Sequence, residues 1–591
     1  MARKPRNAGG KEHQARSVHN GNTSIEAEPG RQQTAPTVPR DSASIFSLIR
    51  EVKAQRACLL VLLAALYSPV SQHNLAPVYG AVPAGLYHYR GSAVAAFLAI
   101  AFRRFLPGGI GGRAISSFCF WIPTIQFLMF QSSSILGNPL GPVVTEMLTY
   151  YPLVILSLST AVQFCDDLKH RAFDSRGDTL NQSNSLLVEL GPPISIMTLF
   201  SVLQQATRSF MSRYIGGNFL TSRIGMQLTI ATLYGLALPS SVLWPSLPSV
   251  AFTMLGNPHT PLWRTTQVLN NTLALYDYTL LERRESVTGY ISVLEDNQKQ
   301  FRAMRCDHSL LGGQWIMAPR HGGRDRRVAE PIYAIFAMLE AVRLVEASDG
   351  DRENKKALTI GLGIGTAPSA LIAHGVSTTI IELDPVVHEF ALKYFALPYN
   401  HTSYIGDAFA AVLNTSRMQA STYDYIIHDV FTGGVEPVDL FTVDFLSGLH
   451  LLLKPRGTIA INYAGDLSMP AASLVYRTIL SVFPSCRAFR ENEAPEAGSQ
   501  GADFTNMVFF CRKEPGPIKF RRPVEADFLG SGARREYLLP KYEISPDSFE
   551  RHGSVLKKGQ TRELRRWQTK SAIGHWKLMR TVLPDGVWEN W

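Results

Sequence analysis

Between residues 57 and 255 six apolar runs follow one another: Cys58–Val70, Ser92–Phe102, Ile115–Phe130, Val143–Val162, Leu186–Leu203 and Ile224–Leu243. So much apolar sequence can be hidden in a bilayer or inside a helical bundle that is apolar all round. Charges fall mostly between the runs, at Arg103, Arg104 and Arg113 and in the cluster from Asp166 to Asp178, where membrane loops lie. Only 18% of the 591 residues are charged, against about 25% in soluble proteins. These observations predict an α-helical transmembrane region of six spans over 57–255. The buried bundle is the alternative, because several runs fall short of the roughly 20 residues a span needs and Pro and Gly interrupt them. The placement of Lys and Arg puts the N-terminus in the cytoplasm and, with an even count, the rest of the chain after the spans in the cytosol; Arg208, Arg213 and Arg223 run against that rule. Glu146 and Glu189 lie near run ends, where an interface position is expected.

Residues 1–56 begin as a polar, basic tail without hydrophobic periodicity, too poor in apolar residues to order itself. Six scattered cysteines form no CxxC pair and have no histidine at ligand spacing, so neither a disulfide framework nor a metal site is expected, and a reducing compartment is the default. The formal charge of +10 is concentrated towards the two ends, which argues for tails and membrane topology rather than nucleic-acid binding. Residues 516–591 form a basic extension in which Arg and Lys pairs alternate with Trp567, Trp576, Trp588 and Trp591, a pattern suited to an anionic lipid surface or to a loosely packed solvated extension.

From 271 onwards the pattern becomes that of a soluble α/β protein. Residues 271–350 hold a small β-hairpin, Tyr290–Glu295 and Gln300–Arg305, and a helical stretch Glu330–Val345. Over 351–515, short apolar strands ending at Gly361, Glu382, Ile405, Asp429 and Asn462 alternate with helical segments, and a late strand covers Met507–Cys511. Such alternation predicts a doubly wound, mainly parallel Rossmann-like sheet, with its ligand over the C-terminal strand ends.

The chemistry-bearing residues fall at those ends. In Ala357-Leu-Thr-Ile-Gly361-Leu-Gly363-Ile-Gly365-Thr366 a buried strand runs into a glycine turn and a helix, which lets backbone amides approach a ligand. Glu382 follows Gly361 by 21 residues and ends the next strand, where a carboxylate accepts both hydroxyls of a ribose. The GxGxG spacing favours an S-adenosyl ligand over a dinucleotide, and hence a fold of the S-adenosylmethionine-dependent methyltransferase type. Asp407, in Gly406-Asp407-Ala408, can accept from an adenine amino group or cap a helix. Asp429, in Tyr423-Asp-Tyr-Ile-Ile-His428-Asp429, stands where the reacting centre should be and is the expected catalytic carboxylate. His428 alternates to the opposite face and reads as structural.

The ordered set Glu282-Arg-Arg-Glu-Ser-Val-Thr-Gly-Tyr-Ile-Ser-Val-Leu, GLGIGT, IIELDP, GDA and YDYIIHDVF resembles the spermidine/spermine synthase (polyamine aminopropyltransferase) family over about 271–512, in its membrane-fused form. The resemblance implies transfer of an aminopropyl group from decarboxylated S-adenosylmethionine to a small-molecule amine, without a metal, by a possible homodimer. It implies Gly361, Gly363, Gly365, Glu382 and Asp407 as nucleoside residues, Gln298 as the hairpin glutamine, Tyr333 as the gate tyrosine and Asp429 as the base. Two departures bear on the reaction. The family's glycine-loop Asp is Ile364 here, and its Asp-Ser-Ser-Asp-Pro run is Asp429-Val-Phe-Thr432-Gly433, which lacks the second diamine-gripping carboxylate. A methyltransferase using intact S-adenosylmethionine and a non-catalytic membrane sensor or scaffold are the alternatives.

Overall fold

A Pro-containing helix of 28 residues, α1 (Val52–Tyr79), is the axis of the N-terminal half of the fold. The computed structural model describes residues 52–103, 105, 108–174, 185–211, 214–239, 241–317, 328–346, 354–431, 435–494 and 503–591; the expected tail over 1–51 and Thr432 lie outside the described residues. Helices α2 (His88–Ala101) and α3 (Gly108–Phe130) pack on α4 (Tyr150–Asp174), and α4, α5 (Ser185–Met211) and α6 (Arg223–Ala237) pack against α1. Among the described residues two stretches, Val52–Tyr79 and Leu140–Lys169, are long and apolar enough to cross a membrane. The expectation of six spans is therefore not supported. At about 1.5 Å per residue, the 14 residues of α2 and 15 of α6 reach only about 21–23 Å.

The interior of this bundle is polar where the sequence suggested none. Glu146, expected at an interface, is 1% exposed and accepts from Ser71 Oγ (2.8 Å), Gln72 Nε2 (3.1 Å) and Tyr151 Oη (2.9 Å), with His88 Nδ1 at 2.6 Å. Gln204 Nε2 links Ser68, Ser92 and Tyr150 nearby. Ser71, Gln72, His88 and Gln204 fall just outside the apolar runs and Glu146 near the start of one, so it is the packing of separate helices that buries them together.

Helix α7 (Trp263–Ala274) leads into an antiparallel meander of β1 (Tyr278–Glu285), β2 (Tyr290–Asp296), β3 (Phe301–Cys306), β4 (Ser309–Trp315) and β5 (Glu330–Pro331). The expected hairpin is β2–β3, and it lies inside a five-stranded sheet. The helical stretch expected from Glu330 starts later, at Ala334, because Glu330 and Pro331 pair with β4. The second sheet has eight strands in the order β13-β11-β12-β10-β9-β6-β7-β8, from β6 (Lys356–Ile360), β7 (Ser377–Glu382), β8 (Thr402–Ile405), β9 (Tyr423–His428), β10 (Leu453–Asp466), β11 (Ser485–Arg490), β12 (Phe504–Arg512) and β13 (Tyr542–Ile544). Strands β6–β10 are parallel, whereas β11, β12 and β13 pair antiparallel. Helices α8 (Thr366–Ala373), α9 (Pro385–Tyr394), α10 (Ala408–Met418), α11 (Val443–Leu452) and α12 (Pro470–Leu480) make the crossovers, a doubly wound Rossmann-like α/β arrangement. The strand order reverses between β6 and β9, which places a ligand cleft over Gly361 and Asp429.

Two expectations about local chemistry are corrected. Cys486 and Cys511, 25 residues apart, are register partners on β11 and β12 and form a disulfide. Their spacing carried no signal because strand register, not sequence distance, brings them together. The tryptophans of the C-terminal segment are not set out for a lipid surface: Trp576, Trp588 and Trp591 are 7%, 0% and 1% exposed. Helix α13 (Arg562–Val582) carries Trp576, whose Nε1 donates to Val78 O of α1 at 2.9 Å, and the Trp591 ring stacks on His259 at 4.7 Å. Residues 52–591 accordingly belong to one compact unit.

The buried guanidinium of Arg305, on β3, closes this junction. It donates to Pro77 O (2.7 Å), Asp307 O (2.7 Å), Val587 O (2.8 Å) and Trp588 O (3.2 Å). Replacing Arg305 by Ala leaves these buried carbonyls without a donor. The expected loss is about 3 kcal/mol or more of stability. Hydrogen exchange should show protection lost first over 576–591, measured on the purified full chain.

Candidate active site

Strand β6 ends at Ile360 and the chain turns at Gly361, whose φ of +85° is left-handed. Asp429 N donates to Ile360 O at 2.9 Å, so the ends of β6 and β9 meet there, and a Cβ at Gly361 would stand 2.0 Å from the Asp429 carbonyl oxygen. Gly363 (φ +54°) lets the loop pass under β4, where a Cβ would lie 2.5 Å from Leu311 O. These glycines are thus required by backbone contact within the protein as well as by any ligand above it. Gly365, with φ +83°, is the N-cap of α8 and does not line the cleft. Ile364 is 4% exposed and packs against Gly312 of β4 in the core between the two sheets. An apolar side chain buried there has no means of neutralising a donor's ammonium.

The cleft is a cavity of about 1260 Å³. Gly361, Gly363, Glu382, Asp407, Asp429 and Tyr333 all line it. Gln298 does not: it lies in the β2–β3 turn with Nε2 donating to Asp277 Oδ2 at 2.8 Å, so its expected place beside the nucleoside is not what the structure gives. The loose fit of that hairpin motif had no strand register to anchor it.

Glu382 closes β7. Its Oε2 accepts from Leu362 N (2.9 Å) and its Oε1 from Asp384 N (2.8 Å), which ties the carboxylate to the glycine turn. Burial raises its pKa to about 7. A carboxylate has about four acceptor positions, so room remains for a hydroxyl donor. Asp407 caps α10 by accepting from Phe409 N at 3.0 Å and is exposed to the cavity, so the capping role and ligand contact are compatible. Tyr333 contributes an Oη that is buried and has no hydrogen-bond partner among the described residues.

At the end of β9, Asp429 Oδ1 accepts from Asn462 Nδ2 at 2.8 Å. Burial raises the Asp429 carboxyl to about pKa 6, with the Asn462 bond opposing the shift. His428 is fully buried on the other face, its Nε2 3.0 Å from Leu440 O and its ring against Phe441 and Phe445. Sequence motifs gave no sign of Asn462, Glu491 or the far wall. That wall comes from the C-terminal segment, as Lys558, Arg562, Arg565, His575 and Met579. His575 rests on Phe431 (ring centroids 5.0 Å apart), with burial lowering its pKa to about 4. Among the described residues no group of three or more His, Cys, Asp or Glu side chains is placed to hold a metal ion.

No family model matches the chain. It is 47% identical over 567 residues to the N-terminal histidine N-methyltransferase of Emericella nidulans, which covers 93% of this chain and 99% of that protein. The chain belongs to the N-terminal histidine N-methyltransferase family. The resemblance to spermidine/spermine synthases is thereby corrected. It survives as 31% identity to a polyamine aminopropyltransferase of Vibrio vulnificus over 134 residues, 22% of this chain and 44% of that one. Among solved structures, a spermidine synthase of Thermotoga maritima covers 50% of this chain and 88% of its own at 17% identity and TM-score 0.28. Human methyltransferase-like protein 13 covers 36% and 92% at 18% and TM-score 0.25. At these TM-scores the likenesses decide nothing between the two chemistries. The residues that suggested polyamine synthesis, Gly361, Gly363, Glu382 and Asp407, cluster on one side of the cleft.

Gly361→Ala tests the junction of β6 and β9. The added methyl must displace the Asp429 carbonyl, and the positive φ adds strain. Purified G361A should fall by about 2 kcal/mol or more in stability and lose adenosyl-ligand binding by calorimetry.

Proposed function

We propose that the chain transfers a methyl group from S-adenosylmethionine to a ring nitrogen of an N-terminal histidine. The 47% identity over 93% of the chain to an N-terminal histidine N-methyltransferase carries this reading. The residues present fit an S-adenosyl nucleoside: a glycine turn, Glu382 with open acceptor positions, and Asp407 facing the same cavity. Lys558, Arg562 and Arg565 in that cavity favour a donor bearing a carboxylate over a decarboxylated one. Bound there, S-adenosylmethionine supplies an electrophilic methyl on a sulfonium and leaves as a thioether.

The protein's own contribution is to hold the acceptor. Imidazole has a pKa of about 6.5 and is mostly neutral at pH 7, whereas an α-amino group with a pKa near 8 is mostly protonated. The ring is the readier nucleophile. With one ring N–H donated to Asp429, the tautomer is fixed and the lone pair of the other ring nitrogen is free to attack. As that nitrogen takes the methyl, positive charge develops on the ring, and the half-buried carboxylate stabilises it. No proton has to leave before attack, which is why a single carboxylate is enough where a diamine would require more.

These protonation states set the sign of the pH dependence. Asp429 offers a negative charge to the developing imidazolium only when ionised, so kcat/KM falls as pH drops through about 6. Protonation of the substrate imidazole adds a second loss in the same range. The acid limb of log kcat/KM should approach a slope of two for a peptide beginning with His. Asp429→Asn should lower kcat by about 10²-fold or more while adenosyl-ligand affinity is kept. Fragmentation mass spectrometry of the product should place the methyl on the imidazole; a methyl on the α-nitrogen would overturn the nucleophile assigned here.

We further infer that the helical half is associated with a bilayer. Its interior holds Glu146, His88, Gln204 and Arg223, while Phe97, Phe105, Ile135, Leu220, Leu236 and Trp244 are each more than 60% exposed. An apolar exterior around an interior that also holds hydrogen-bonded polar groups suits lipid as solvent. The chain should resist alkaline carbonate extraction and require detergent; release into the supernatant would remove the bilayer from this account.

A further inference from the structure

Asn462 is on β10 beside Asp429, at the point where Ile461 and His428 are register partners. It is 8% exposed and lines the cavity. Its Nδ2 is used by Asp429, and its Oδ1 has no hydrogen-bond partner among the described residues. The orientation of this amide is set by chemistry. An ionised carboxylate only accepts, so Nδ2 must face Asp429 and Oδ1 must point away from it. A buried acceptor left without a donor is costly and rare in native proteins, and at the wall of a substrate cavity it marks where a ligand N–H or O–H belongs.

We infer that Asn462 Oδ1 receives the free α-amino group of the N-terminal residue and is the residue by which the site recognises a chain terminus. This rests on the histidine reading above. Two acceptors then stand side by side: a carboxylate oxygen of Asp429, and, one amide group further along, Asn462 Oδ1. A histidine at a chain start offers a matching pair of donors, since its near ring nitrogen and its α-nitrogen are separated by three carbons. The ring N–H on Asp429 and the α-ammonium on Asn462 fill both acceptors together and leave the far ring nitrogen directed away from the sheet. A histidine within a chain has a peptide N–H in place of the ammonium, without its charge, and its preceding residue would have to pass through the strand ends that carry these two side chains. A free α-amine on any other residue lacks the ring donor. The pair therefore reads side chain and terminus in one contact, and neutral Asn accepts from an ammonium without adding a second acid beside Asp429, which would disfavour its ionisation.

The test compares two acceptors on the purified full chain with S-adenosylmethionine: a peptide beginning with His, and the same peptide with the α-amino group replaced by hydrogen. For the unaltered protein, kcat/KM should fall by about tenfold or more when the α-amine is removed. In Asn462→Ala, any misplacement of Asp429 lowers both peptides by a common factor, whereas the preference for the free amine should collapse to about one. Calorimetric binding of S-adenosylhomocysteine to the variant establishes that it is folded, and the comparison on the unaltered protein stands without it. Equal kcat/KM for the two peptides in the unaltered protein, or an undiminished preference in the variant, overturns the assignment to Asn462 while leaving histidine methylation intact. Methylation of neither peptide overturns both readings.

Discussion

One buried cation holds three distant stretches of chain together. Arg305 has lost most of its water, which lowers its pKa to about 10, and it recovers solvation from backbone carbonyls at Pro77, Asp307, Val587 and Trp588. Beside it Arg223 donates to His73 O and reaches Glu285 and Asp307 across the same seam. The end of α1, the meander and the C-terminal segment are thus fixed relative to one another by hydrogen bonds that only arginine can make so many of. The cavity depends on this seam, because one of its walls is α13, and the carbonyls of Val587 and Trp588 tether the C-terminal end of that helix to Arg305.

The nucleoside half of the site was legible because its residues obey local rules. Glycines with positive φ after a buried strand, a carboxylate at the next strand end and an Asp before a helix are each readable within a dozen residues. Most strand and helix boundaries in 356–512 fall within a few residues of where apolar alternation put them. Strands β11 and β13 were not legible, since Ser-Cys-Arg-Ala-Phe-Arg and Tyr-Glu-Ile gain their place only by pairing with β12 and with each other. The disulfide, the buried Glu146 and the far wall of the cavity were missed for the same reason. Each is created by segments remote in sequence, and no local period announces them.

The mistaken resemblance has a physical explanation in how the cleft is divided. The motifs behind it line one side of the cleft and are of the kind expected for an adenosyl group, which a methyl donor and an aminopropyl donor have in common. Across the cleft stand Asn462, the Oη of Tyr333, which has no hydrogen-bond partner among the described residues, and the basic and aromatic face of α13. Ile364 is informative in hindsight. Packed under β4, it serves the join between the two sheets and does not line the cavity.

The partners of α13 also order events during synthesis. Trp576 bonds to the carbonyl of Val78, 498 residues earlier in the chain, and Arg305 waits for carbonyls 282 and 283 residues later. A ribosome delivers these residues only after both sheets and the helical bundle have emerged. Until then the cavity lacks the wall that α13 supplies, and Arg305 lacks two of its four acceptors. The far wall of the cavity is therefore among the last parts of the fold to be completed.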